Sequence, residues 1–213
     1  MKNFAGAVLI SMSSILVSSG FAGDTQDAQC PTGMAWDVDV ALKHAPSGPA
    51  DLWPAQQSVA ATQKGPQADT SAYVDTTDDG KGKVMASDEG FPGEGPSNAF
   101  NNNQEKWCVN KTAAWIQYQY ADNARRKVTA YSITSGNDAP GRDPRDWRLL
   151  GSNDGQTWTE VDARKDEDFS QRWEKRLFVA KAPGEYNGYR LDIQKNHGDV
   201  STQIAEMELL AGK

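Results

Sequence analysis

The feature that most constrains this chain is its texture from about Tyr73 onward. Short runs of alternating apolar and polar residues are separated by clusters of turn formers, and no stretch shows a convincing 3.6-residue period. Trp115 to Tyr120 places Ile116, Tyr118 and Tyr120 on one side and Gln117 and Gln119 on the other. Tyr189, Leu191 and Ile193 alternate with Arg190, Asp192 and Gln194. Further runs are Val84 to Ser87, Val128 to Ser135, Trp147 to Gly151, Thr157 to Val161, Lys175 to Ala180 and Gln203 to Leu210. In the last of these, Ala205, Met207 and Leu209 share one face, while Glu206 shares the other with Ile204 and Glu208. Between two runs sits Ser152-Asn153-Asp154-Gly155, whose Asp-Gly supplies the positive φ that a tight hairpin demands. About eight strands in roughly 130 residues predict an all-β fold, an antiparallel β-sandwich of jelly-roll type.

Residues 1–22 read as an export signal. Lys2 supplies the basic start, and Ala5 to Val17 is uncharged, mostly apolar and too short to span a bilayer. Gly20 and Ala22 are small residues suited to a cut near Gly23. The alternative is an N-terminal core helix. No membrane insertion is expected once the signal is removed. Residues 23–72 hold Pro31, Pro46, Pro49, Pro54 and Pro66 and few structure signals, and read as an extended, irregular arm. The domain is expected over 73–213. Export makes a disulfide between Cys30 and Cys108 available, closing a loop of roughly 80 residues worth about 4 kcal/mol in the chain-entropy model. Two unpaired thiols are the alternative.

Composition excludes some partners. The net charge of -7, from 22 basic and 29 acidic residues, lacks the basic footprint of a nucleic-acid binder, and anionic membranes would repel it. Two cysteines and two widely separated histidines, His44 and His197, make no zinc spacing. There is no Gly-x-Ser-x-Gly elbow, no His-Glu-x-x-His helix and no phosphate loop, so the expectation is a non-enzyme.

Residues from about 73 to 212 resemble the discoidin family, the coagulation factor 5/8 type C domain of galactose-binding-like fold. Its bacterial relatives include the family 32 carbohydrate-binding modules. The likeness is carried by Pro96-Ser97-Asn98-Ala99-Phe100-Asn101-Asn102 followed by Lys106-Trp107, and by Trp115-Ile116-Gln117. It continues through Tyr131 to Asp138, then Arg142-Asp143-Pro144 with Trp147, and Gly151 to Gly155 with Trp158. Tyr189-Arg190-Leu191 and Gln203 to Met207 complete it. The pattern matches a form common in exported bacterial proteins, which implies a secreted or periplasmic location. Trp158, directly after a hairpin turn, is expected in the core or on a sheet surface.

The resemblance implies a structural calcium held by the Ala99 carbonyl, Asn101, Glu105 and Glu206, with Asn103 a further candidate. Asn101 stands where the family usually has Asp, which removes a charge from the site. A simple polar turn is the alternative reading of Asn101 to Asn103. The resemblance also implies a shallow glycan site in the end loops, with Asn137, Asp138, Arg142, Arg172, Trp173 and His197 as its candidates. For Arg142-Asp143-Pro144 the competing reading is a pinned loop, for Trp173 a plug into the core, and for His197 a solvated loop. The function implied is a stand-alone module that binds a glycan or cell-surface polysaccharide. A structural or adhesion module contacting an envelope protein is the alternative, and a small hydrolase a third reading.

Overall fold

The structure, a computed structural model, describes residues 65–78 and 80–213. The expected export signal and most of the arm, Cys30 included, lie outside the described residues. Among the described residues thirteen strands follow one another: β1 (Tyr73–Asp75), β2 (Lys83–Ala86), β3 (Trp107–Val109), β4 (Ala114–Gln119), β5 (Arg126–Lys127), β6 (Ala130–Thr134) and β7 (Pro144–Ser152). The rest are β8 (Thr159–Arg164), β9 (Lys175–Val179), β10 (Glu185–Tyr186), β11 (Gly188–Asn196), β12 (Thr202–Ile204) and β13 (Glu206–Gly212). They build a four-stranded sheet in the order β1-β13-β6-β9 and a five-stranded sheet in the order β2-β4-β11-β7-β8, with two small ribbons, β10-β5 and β12-β3. Every pairing within these sheets is antiparallel, as expected.

Alternation decides which side of each sheet is buried. On β11, Tyr189, Leu191 and Ile193 are buried while Arg190 and Asp192 are half-exposed. β4 adds Ile116 and Tyr118, and β7 adds Trp147 and Leu149. From the other sheet come Tyr131, Ile133, Met207, Leu209 and Phe178. Burying each large side chain contributes roughly 1.5–3 kcal/mol. Phe178 stacks on Tyr131 at 5.3 Å between ring centres and meets Trp147 edge-on at 5.1 Å. The polar ends of this cluster are satisfied internally: the Trp147 indole N–H donates to the Tyr131 hydroxyl (2.9 Å), which donates to Asp162 (2.8 Å).

Two sequence expectations change in detail, and a third, for Trp158, is narrowed. The run from Gln203 to Leu210 is two strands: β12 pairs with β3, and β13 pairs with β6. The chain changes partners at Ala205, whose N–H donates to the Thr134 carbonyl (2.9 Å). Ile204 therefore enters the core and does not share a face with Glu206. Trp158 lies on the outer face of the five-stranded sheet. There the Arg190 guanidinium sits 4.1 Å from its ring centre and 4.1 Å from that of Trp115. The turn after β7 is wider than a two-residue hairpin. Gly155 has φ +69°, and the Asp154 carboxylate accepts the N–H groups of Gln156 (2.8 Å) and Thr157 (2.7 Å). Those two bonds hold its pKa down at about 2.

Candidate functional site

A cavity of about 290 Å³ opens on the outer face of the four-stranded sheet. Its floor follows from strand register. Because Met207 and Leu209 face the core, Glu206 and Glu208 must face outward. Thr134 on β6 lies directly opposite Glu206, and Lys175 on β9 directly opposite Thr134. One row thus reads Glu206, Thr134, Lys175. The neighbouring row pairs Glu208 with Ser132.

The walls come from three segments. Residues 65–68 run beside β9: Gly65 donates to the Arg172 carbonyl (2.9 Å), and Lys175 donates to the Pro66 carbonyl (2.9 Å). Gln67 forms a parallel bridge with Lys175 and donates its side-chain amide to the Trp173 carbonyl (2.7 Å). Asn102 to Gln104 close a second wall after the short 3-10 turn Pro96–Phe100. Asn102 adopts φ +58°, a conformation asparagine tolerates, and its N–H donates to Glu206 Oε2 (2.9 Å). Trp173, half-buried, forms the third wall, in the segment leading into β9. Its φ is +59°, unfavourable for a bulky residue by about 1–2 kcal/mol, and its N–H donates to the Gly136 carbonyl (3.2 Å).

The two carboxylates in this cavity differ. Glu208 pairs with Lys175 Nζ through one oxygen and accepts the Ser132 hydroxyl (2.8 Å) through the other. Among the described residues, Glu206 accepts a single hydrogen bond, the one from Asn102. It is 7% exposed, and burial pushes its pKa up to about 8, with Glu208 and Asp75 adding repulsion. Thr134 is also buried, and its hydroxyl has no hydrogen-bond partner among the described residues. Such a group costs about 1–3 kcal/mol unless something occupies the cavity to meet it.

The other candidate ligand residues stand elsewhere. Asp138, Arg142 and Arg172 do converge, but on one another. Lys106 Nζ donates to Asp138 (2.8 Å) and to Gln203 (3.0 Å). Arg142, 4% exposed, lies 3.5 Å from the carboxylates of both Asp138 and Asp199. Arg172 donates to the Asp138 carbonyl (2.9 Å) and pairs with the buried Asp143 carboxylate. Burial raises the Asp143 pKa, and Arg172 works against that rise. These groups pin the loop from Gly136 to Arg145. Asn137 is exposed at its tip. His197 is held apart, with Nε2 3.0 Å from the Glu167 carbonyl.

The sequence profile of the F5/8 type C domain matches residues 83–207. The chain belongs to this family. An F5/8 type C stretch of 107 residues is 39% identical to a peptide-N(4)-(N-acetyl-beta-glucosaminyl)asparagine amidase of Arabidopsis thaliana, and covers 48% of this chain and 15% of that enzyme. Among solved structures, the fold is similar to a family 32 module from a family 31 glycoside hydrolase of Clostridium perfringens. That likeness has TM-score 0.56 and 14% identity, and covers 67% of this chain and 96% of the module. It is also similar to the family 32 module of C. perfringens NanJ in complex with galactose, with TM-score 0.53, 15% identity and coverage of 62% and 95%. At these identities the likeness shows the galactose-binding-like fold alone.

The F5/8 type C likeness implied calcium ligands, and their arrangement can be tested directly. Glu105 Oε2 accepts the side-chain amides of Asn101 (2.9 Å) and Asn103 (3.0 Å). The side-chain oxygens of Asn101 and Asn103 accept backbone N–H groups of Asn103 (3.1 Å) and Glu105 (2.7 Å). These oxygens serve one another, and the loop meets Glu206 through the Asn102 N–H. Among the described residues no three His, Cys, Asp or Glu side chains are grouped to hold a metal. A calcium ion needs six to eight oxygens with carboxylates among them, and in this arrangement the side-chain oxygens of the loop are engaged with one another. Ala99, fully buried, lies within the 3-10 turn Pro96–Phe100 that precedes this loop. Cys108 is buried in β3 and is not a free thiol, while its expected partner Cys30 lies outside the described residues.

Sequence reasoning assigned Trp173 and Glu206 to separate sites, and they border one cavity. Thr134, Lys175 and Gln67 were missed. Thr134 and Lys175 become site residues only through the register of β13, β6 and β9, which no single run of sequence displays.

Proposed function

We propose that this chain is an exported, non-catalytic binding module that takes a carbohydrate in the cavity between Trp173 and Glu206. The observation that carries this reading is a half-buried indole held beside carboxamide and carboxylate groups in one cavity. Indoles cover the apolar face of a sugar ring, while amides and carboxylates engage its hydroxyls. Membership of a family with carbohydrate-binding modules among its structural neighbours supports the same ligand class. Glu208 is committed to Lys175 and Ser132, so the cavity offers one carboxyl group outside an ion pair, and not the two that glycoside hydrolysis uses. Export to the periplasm or beyond, with a Cys30–Cys108 disulfide, is part of the proposal and rests on the N-terminal segment.

The experiment is a glycan-array screen followed by titration calorimetry on the wild type and on Trp173→Ala. Wild type is expected to bind one glycan class. Trp173→Ala should bind at least about tenfold more weakly, with a melting temperature within a few degrees of wild type. A folded wild type that binds no glycan refutes the reading. So does an alanine variant that binds unchanged.

A further inference from the structure

The outer face of the five-stranded sheet, remote from the Trp173 cavity in the strand order, carries a cation without a counter-charge. Register sets one row across it: Met85, Gln117, Arg190, Leu150 and Glu160. The Arg190 guanidinium stands 4.1 Å from the ring centres of both Trp115 and Trp158, so indoles flank it. Its Nε and Nη2 both donate to Gln117 Oε1 (3.2 and 2.9 Å), which leaves the end-on fork of Nη1 and Nη2 open. Among the described residues no carboxylate lies within ion-pair distance of Arg190. Asp192, two positions along β11, is committed to Arg148. Leu150, directly opposite Arg190, stands outside the main core and is 9% exposed. The face therefore presents a charged fork in apolar surroundings, which a carboxylate with apolar neighbours completes.

We propose that this face is the docking surface of the chain's own N-terminal arm, with a carboxylate of the 36–40 segment on the open fork of Arg190. The arm fits by sequence, by reach and by charge. Residues 23–64 hold five Asp and two Lys. Of the five, Asp37 and Asp39 are the two flanked on both sides by large apolar residues, in Trp36-Asp37-Val38-Asp39-Val40. The arm enters the described residues at Gly65, and the 25 residues from Val40 to there span up to about 80 Å. Its other tether is the proposed bond from Cys30 to Cys108, which is not a free thiol. The Cys108 carbonyl accepts the Phe91 N–H (3.1 Å), and the Ser87 N–H donates to the Trp115 carbonyl (2.9 Å), so one short loop separates Cys108 from Trp115. The six residues from Cys30 to Trp36 span about 20 Å, enough to follow that loop. A separate acidic partner would approach against a net charge of -7, whereas an attached arm meets the face at an effective concentration near millimolar.

The test is hydrogen–deuterium exchange of the full mature chain, oxidised and at low salt, read on peptides covering residues 31–45. In wild type the amides of residues 36–40 should exchange at least about tenfold more slowly than in an unprotected chain. Arg190→Glu should return them to the unprotected rate, and adding Asp37→Lys and Asp39→Lys to it should restore the protection. If Arg190→Glu fails to fold, Asp37→Asn with Asp39→Asn removes the same contact from the arm side and should abolish the protection. Unprotected exchange in wild type overturns the proposal. So does protection that survives both Arg190→Glu and the paired Asn substitutions, which would place the arm elsewhere. Protection that rises with protein concentration assigns the face to the arm of a second copy and overturns docking within one chain. Glycan binding at the Trp173 cavity should be the same in all these variants, so neither reading stands or falls with the other.

Discussion

Replacing Glu206 by glutamine should stabilise the empty protein at neutral pH. Burial raises the Glu206 pKa from an ordinary 4.5 to about 8. Below pH 4.5 the group is protonated in both folded and unfolded chains, and its contribution to stability is fully present. As pH rises from 4.5 to 8, the unfolded chain releases the proton while the folded chain keeps it, so stability is progressively lost. At pH 7 the gap spans about 2.5 pH units, which corresponds to about 3 kcal/mol of destabilisation. Glutamine has the same shape, can still accept the Asn102 N–H through its amide oxygen, and carries no proton to lose. Glu206→Gln is therefore expected to gain about 3 kcal/mol at pH 7 and close to nothing at pH 4. For a domain of this size the neutral-pH gain corresponds to a rise in melting temperature of roughly 6–12 °C. Urea melts of both proteins at several pH values, without ligand and with chelator, measure the difference. A difference that does not change with pH, or a variant less stable at pH 7, refutes the reasoning. A sign reversal confined to calcium-containing buffer would show that a metal holds Glu206 ionised.

Three smaller predictions concern the scaffold. Arg172→Ala removes the partner of the buried Asp143 carboxylate and should cost about 3 kcal/mol, read from chemical denaturation. Tyr131→Phe leaves the Trp147 N–H and the Asp162 carboxylate short of a partner and should cost about 2 kcal/mol in the same assay. Gly155→Ala forces a side chain into φ +69°, where no neighbour obstructs it, so only backbone strain acts and about 1 kcal/mol should be lost. A loss of more than about 3 kcal/mol would mean that the turn does more than reverse the chain.

Alternation made the sandwich legible. Tyr189, Leu191 and Ile193 on β11, and Met207 and Leu209 on β13, lie on the buried faces that their spacing predicts. The change of sheet at Ala205 was not legible, because it depends on which strand lies beside each half of the run. The residue types of the 136–145 loop were equally ambiguous. Asp138, Arg142 and Arg172 could grip a ligand or one another, and only distances decide between the two. Trp173 stood out because it sits in a charged stretch with no pattern that would bury it. Its positive φ has no sequence signature at all.

The separation of Trp173 from Glu206 in the sequence reading has a physical origin. Along the chain, 32 positions lie between them, and each belongs to a local motif of its own. In the sheet they are brought together by two antiparallel pairings that share β6. Those pairings are set by the core, since Met207 and Leu209 must face Ile133 and Phe178 to be buried. A one-residue slip of β13 would turn Glu206 and Glu208 into the core and Met207 onto the cavity floor. Unpaired carboxylates there would cost several kcal/mol each. The apolar side of β13 thus fixes the chemistry of its polar side: the packing that makes the sandwich also places the Glu206 carboxyl group opposite Thr134.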